Sequence, residues 1–138
     1  MMWLSVSYLA LWSVVFPENA QAVVRKIKCE QLDNKYWSMS MLKNYARVIS
    51  ESKYKWGRGE FKALNKLWTT ESHWNLSAYN NIIGDPTDGS HAGGIPQLLG
   101  MNPDTPAPLQ IERGLEYIHY RYKIPSVAWF HHRVHGWY

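Results

Sequence analysis

Thiol chemistry is nearly absent from this sequence, in which Cys29 is the only cysteine. That excludes a disulfide scaffold and any zinc finger built on several cysteines. Charge is sparse as well, at 19% of residues, and residues 1–16 carry no charged side chain at all. No internal repeat or low-complexity tract is present. An apolar content of 46% excludes an intrinsically disordered chain, and 138 residues suit one compact domain better than two separate cores. The surplus is aromatic, with 8 Trp and 9 Tyr. Such rings suit a groove that stacks flat ligands such as sugars or bases, and they equally fill a core. The formal charge of +4 favours an acidic partner without choosing among nucleic acid, anionic lipid and cell wall.

The uncharged start is dominated by Trp3, Leu4, Val6, Tyr8, Leu9, Leu11, Trp12, Val14, Val15 and Phe16, and Pro17 then breaks any helix. The run is shorter than the ~20 residues that span a bilayer. It has the length of a signal-peptide apolar region, and Ala20-Gln21-Ala22 offers a small-x-small cleavage pattern, although no Lys or Arg precedes it. Residues 1–22 are therefore expected to be an export signal, with an uncleaved membrane anchor or a buried helix as alternatives. Export would leave Cys29 a lone thiol in an oxidising compartment.

Helical spacing then organises the chain. Met41, Leu42, Tyr45, Val48 and Ile49 form one apolar stripe, interrupted by Gly57 and Gly59. Phe61, Leu64, Leu67 and Trp68 form a second. Residues 79–108 are dense in Gly, Pro and Asp, which predicts loops and a short hairpin. A third stripe carries Ile111, Leu115, Ile118 and Tyr122, and Pro125 with Ser126 reads as a stop and a new N-cap before Val127, Ala128, Trp129 and Phe130. The layout predicts a mainly α fold in which a loop-rich lobe faces helices across a cleft. Residues 23–55 read as an N-terminal helical extension and residues 56–138 as the main domain.

One carboxylate falls on the wrong face. Glu71 follows Leu67 by four residues and Trp68 by three, so a helix reaching that far sets its carboxyl on the apolar stripe. An ionised carboxylate is costly there, and its pKa should be raised. An acid still protonated near neutral pH can protonate a leaving oxygen. The alternative is that Glu71 ends the helix and turns to solvent, or pairs with an Arg.

Four separated segments carry a family likeness. They are Glu71-Ser72-His73-Trp74-Asn75 with Ala78; Gly94-Ile95-Pro96-Gln97 after Ala92-Gly93; Gly114 with Tyr117-Ile118; and Arg121-Tyr122, Pro125, Ala128-Trp129, His131 and Gly136-Trp137-Tyr138. In that order the chain resembles the lysozyme-like transglycosylase domain of soluble lytic transglycosylases and goose-type lysozymes, in a compact secreted or phage-encoded branch. The likeness covers about residues 56–138. It implies an α+β lysozyme-like fold with a sugar-binding cleft. It also implies lytic cleavage of the peptidoglycan bond between N-acetylmuramic acid and N-acetylglucosamine, with a 1,6-anhydro ring as product. The family's Tyr-Asn-Ala-Gly segment is missing, replaced by Ala128-Trp129-Phe130-His131, so the far sugar subsites do not carry over. Ala63 and Ser126 stand where compact relatives often have cysteines.

The resemblance implies that Glu71 is the catalytic acid and base. Ser72 would bind substrate or hold Glu71, Gln97 would meet an acetamido group, and Tyr117 would orient Glu71. Ile95, Trp129 and His131 complete the expected sugar-binding set; Trp74 divides between sugar stacking and core, and Asn75 braces the turn. Because the substrate's own N-acetyl group can stabilise the charge at C1, a second carboxylate is dispensable, and Asp85, Asp88 and Asp104 read as turn residues. His131, His132 and His135, with His119, invite a metal reading, but a third ligand is not evident and no Glu sits between the His131 and His135 pair. No cofactor and no metal are expected. The expected partner is the peptidoglycan glycan strand, met by a monomer in the periplasm, cell wall or medium, or on a virion. Membrane contact is expected only through an uncleaved N-terminus. Nucleic-acid binding is not expected, since no recognised motif is present. Two rivals remain open: a muramidase in which water attacks, and an inactive wall-binding or virion structural module.

Overall fold

The computed structural model describes residues 33–81 and 91–138. The expected export signal, Cys29, Asp85 and Asp88 lie outside the described residues. Four helices and one small sheet follow a single 3-10 turn at Asn34–Tyr36. Helix α1 spans Met39–Tyr54, and Ser38 caps it by accepting the Met41 N–H at 3.3 Å. Helix α2 spans Arg58–Ser72, with Gly57 as its N-cap. Strands β1 (Tyr79–Asn81), β2 (His91–Gly93) and β3 (Leu98–Leu99) pair antiparallel in that order, with Tyr79 opposite Gly93 and Gly93 opposite Leu98. Helix α3 spans Ala107–Tyr122 and α4 spans Pro125–His135. The protein is thus mainly helical with a three-stranded sheet. Among the described residues no helix is long and apolar enough to cross a membrane.

The predicted stripes are the buried faces, with two exceptions. Leu64, Leu67 and Trp68 of α2 and Ile111, Leu115 and Ile118 of α3 are fully buried. On α1 the buried line is Leu42, Ala46 and Ser50, while Met41 and Val48 of the expected stripe are exposed. The cause is register: α1 turns the face centred on Leu42 and Ala46 toward α3, which leaves positions 41 and 48 on its flank. Leu42 and Ala46 join the same cluster as Leu64, Ile95, Ile118 and Ala128, so the segment read as an N-terminal extension shares one core with the rest.

Long-range polar contacts tie the helix ends. Asn34 accepts the Ala107 N–H at 2.8 Å and donates to the Thr105 carbonyl at 3.1 Å, capping α3 from 73 positions away. Glu60 caps α4 in the same manner, accepting the Ser126 N–H at 2.8 Å and its hydroxyl at 3.0 Å. Ser126 was expected to be the N-cap itself. Ile124 holds that position instead, and Pro125 starts the helix, because its missing N–H costs nothing in a first turn. The Ser126 bonds also join α2 to α4.

The sheet is fastened to α3 by one buried amide. Gln110 is fully buried; its Oε1 accepts the Ile95 N–H at 2.9 Å, and its Nε2 faces the carbonyls of Leu76, Pro103 and Thr105 at 3.1, 3.0 and 2.9 Å. Gly94 has φ +69°, and a Cβ there would lie 2.3 Å from Gln110 Oε1, so both its conformation and its neighbour require glycine. At Gly114 an added Cβ would come within 2.7 Å of both Pro96 Cβ and Trp68 Cζ2, which makes this the point where α3, α2 and the sheet loop converge.

Replacing Gln110 with Leu keeps the volume but strands a buried N–H and leaves buried carbonyls unpaired. Urea denaturation should show a loss of about 3 kcal/mol or more. Gly114→Ala should cost about 1–3 kcal/mol by overpacking, read in the same titration.

Candidate functional site

Helix α2 does continue through Glu71, ending at Ser72. Its C-terminus then closes in a tight turn: the His73 N–H donates to the Thr69 carbonyl at 3.0 Å and the Trp74 N–H to the Trp68 carbonyl at 3.4 Å. Both His73 (φ 54°) and Trp74 (φ 60°) adopt the left-handed conformation. Two consecutive non-glycine residues there store about 1–3 kcal/mol each. This strained turn drives Trp74 into the core, where its ring meets Trp68 edge-on at 5.2 Å. Trp74 is 3% exposed, which makes it a packing residue.

Glu71 itself sits against α4. Its Oε1 lies 3.1 Å from His132 Nε2, and the two side chains are only 16% and 13% exposed. An ion pair would lower the carboxyl pKa and raise that of the imidazole. Burial acts the other way on both groups, because each must lose water to be charged. Here burial wins: the Glu71 pKa rises to about 7, while burial and the neighbouring His131 lower that of His132. The negative end of the α2 dipole also disfavours negative charge at this position. Around pH 7 the carboxyl is divided between its acid and ionised forms, and burial biases the facing imidazole toward neutrality. No described residue hydrogen-bonds Glu71 Oε2.

Three elements surround this acid. Trp129 stacks on the His132 ring at 5.7 Å with an interplanar angle of 11°, fixing its orientation from within α4. Tyr138 returns from the chain end, donating to the Pro96 carbonyl at 2.6 Å and accepting from Trp68 Nε1 at 3.0 Å. Burial, and next the Glu71 charge, raise the Tyr138 pKa well above its ordinary value. Ser72 donates its hydroxyl to the Ile95 carbonyl at 2.7 Å and also approaches the Trp68 carbonyl at 3.3 Å.

These contacts revise several sequence expectations. Ile95 was expected to line a sugar groove; it has no exposed surface, and its backbone joins α2 to α3 through Ser72 and Gln110. Ser72 is buried with its proton committed to that carbonyl, so it braces the end of α2 instead of offering a donor to ligand. Tyr117 was expected to orient Glu71, but its hydroxyl accepts from Arg121 at 3.0 Å. The tyrosine that senses Glu71 is Tyr138, against whose ring Tyr117 packs edge-on at 5.7 Å. His131 is half-buried; its Nδ1 donates to the Trp137 carbonyl at 2.9 Å, and its ring stacks on His135 at 4.2 Å. Gln97 is half-exposed, with φ 49° and its amide donating to the Gly94 carbonyl at 2.8 Å. Asn75 accepts the Ser77 N–H at 3.0 Å in the turn, and Asp104 is exposed in another.

His132 and Tyr138 are the site residues that sequence reasoning missed. A helical register counted from Pro125 puts Ala128, Trp129 and His132 on one face, a signal that could have found the first. The second lies in the Gly136-Trp137-Tyr138 segment, but no local spacing ties it to Glu71. An open pocket of about 420 Å³, lined by Asn34, Trp37, Trp74, Asn75 and Ser77 among others, lies beside the α2 turn, but neither Glu71 nor Gln97 lines it. Among the described residues no cluster of His, Cys, Asp and Glu could hold a metal ion.

Comparison with protein-family models, with curated proteins and with solved structures gives no match to this chain.

The raised pKa has a stability consequence. A carboxyl whose folded pKa exceeds its unfolded value near 4.5 favours folding most below that value, and the advantage is lost as pH rises to about 7 and beyond. Glu71→Gln removes the burden of the buried charge. At about pH 8 the variant should be more stable than wild type by about 1–3 kcal/mol, and the gap should close on acidification to about pH 4.5, as thermal melts at both values would show.

Proposed function

We propose that this protein is a peptidoglycan lytic transglycosylase with Glu71 as its general acid and base. The observation that carries the reading is the Glu71 carboxyl, shielded against α4 and raised to about 7 by burial. Such a group, unlike an ordinary carboxyl, is still partly protonated at neutral pH and can give that proton to a departing oxygen. The four segments that resemble lysozyme-like transglycosylases support the same reading. So does the order of elements after Glu71, in which a three-stranded sheet follows directly on the catalytic helix.

In this reaction Glu71 protonates the glycosidic oxygen between N-acetylmuramic acid and N-acetylglucosamine, and the bond from that oxygen to muramic C1 breaks. The substrate's N-acetyl group stabilises the positive charge left at C1. The Glu71 carboxylate then takes the proton from the muramic C6 hydroxyl, whose oxygen closes on C1 as a 1,6-anhydro ring. No water is consumed and Glu71 ends as it began. One carboxyl is enough, unlike the usual glycosidase pair. Oε1 lies against His132, and we assign Oε2 to substrate. Gln97 and Trp129, both half-exposed, are the side chains we assign to sugar contact. The proposed setting is the cell wall, reached by export from a bacterium or on a phage particle.

Digestion of purified peptidoglycan tests this. Wild type should release products carrying anhydromuramic ends, one water lighter than hydrolytic products, and Glu71→Gln should be at least about a hundredfold slower. Products that have gained water would assign a muramidase on the same acid, and equal lysis by wild type and Glu71→Gln would assign a wall-binding module. Activity should also decline as pH rises through about 7, since only the protonated carboxyl can start the reaction. A flat profile across that range would contradict the acid role.

A further inference from the structure

Helix α4 is apolar on two opposite sides. Pro125, Ala128, Trp129 and His132 face the core, with Pro125 and Ala128 buried. Val127, Phe130 and Val134 follow the spacing of a single helical stripe on the reverse side, and they are 45%, 70% and 61% exposed. Val127, Phe130 and Val134 lie outside the core cluster of the described residues, so the outer stripe is exposed apolar surface there. Ile124, just before the helix, and Trp137, just after it, extend the exposed apolar surface. Trp137 meets the His131 ring edge-on at 4.5 Å, and the Arg121 guanidinium lies 5.1 Å from its ring centre.

The charge around the stripe has one sign. Residues 117–138 contain no Asp or Glu, and they carry Arg121, Lys123 and Arg133 together with His119, His131, His132 and His135. Two acids of the packed neighbour α2 touch α4: Glu60, held by Ser126 at its start, and Glu71, on its inner face against His132. Arg133 borders the stripe on one side, and His131 with His135 border it on the other. An exposed apolar ridge with an interfacial Trp and a basic margin matches the interface of an anionic lipid bilayer, where apolar side chains enter the acyl boundary and cations remain among the headgroups. A protein partner of the same chemistry would need an acidic rim around an apolar groove.

We propose that the outer face of α4 docks the protein on anionic membrane surfaces. Val127, Phe130 and Val134 insert, and Arg121, Lys123 and Arg133 contact lipid phosphates. Docking by this face leaves the Glu71 side of α4 turned away from the lipid. The proposal does not depend on the glycan chemistry, because its test contains no peptidoglycan.

A nitroxide attached at Val134→Cys in a Cys29→Ser full-length background reports on this face alone, so lipid contacts made elsewhere in the chain do not confuse it. Vesicles of phosphatidylglycerol and phosphatidylcholine should raise its collisions with oxygen and lower those with an aqueous nickel complex. Pure phosphatidylcholine should have little effect, and a label at exposed Val48 on α1 should be indifferent to both. Phe130→Ser and Arg133→Glu, each at an exposed position and so compatible with folding, should each weaken the response about tenfold in lipid concentration. A label at 134 that stays water-exposed on anionic vesicles overturns the proposal. So does shielding without lipid: if it grows with protein concentration a second copy covers the face, and if it does not, another part of the same chain does.

Discussion

The backbone of residues 94–96 is held from three directions, and the site depends on that grip. Gln110 of α3 binds the Ile95 N–H, Ser72 of α2 binds the Ile95 carbonyl, and Tyr138 binds the Pro96 carbonyl. Each is a polar contact inside an apolar surround, where an unmade hydrogen bond is costly and a made one is geometrically exacting. The segment therefore works as a crossbeam. It locks the end of α2, and with it Glu71, to the sheet, to α3 and to the C-terminus. Gly114 lets α3 approach closely enough to Pro96 and Trp68 for the arrangement to close.

Against this rigid frame the site is locally unfavourable. Glu71 is shielded, and among the described residues its neighbour His132 is itself pushed toward neutrality by burial. The two residues after the end of α2 sit in a backbone conformation suited to glycine. Strain and a displaced pKa in one helical turn persist only because the surroundings over-determine them. The same helix that supplies His132 on its inner face exposes apolar side chains on its outer face, so α4 joins the acid to a second surface of the molecule.

Helical periodicity made much of this legible in advance. The stripes through Leu64, Leu67 and Trp68 and through Ile111, Leu115 and Ile118 are local patterns, and the helices follow them. The misplacement of Glu71 on such a stripe was readable for the same reason. Where the reading failed, motif position had stood in for geometry. Ile95 and Ser72 sit in segments that suggest a sugar groove, yet their polar groups are consumed by the crossbeam. Tyr117 lies on the expected helix, but its hydroxyl belongs to Arg121.

By itself, the sequence determined which segments coil into helices and that a carboxyl would lie on an apolar face, because both follow from the fixed rotation per residue along one chain. Tertiary structure alone decided what that carboxyl meets. His132 lies 61 positions and Tyr138 lies 67 positions along the chain from Glu71. Gln110 reaches Leu76 across 34 positions, and Asn34 reaches Ala107 across 73. No local period encodes such contacts. They exist because helices of particular lengths, meeting at Gly114 and capped by distant side chains, leave only one way for the polar groups between them to be satisfied.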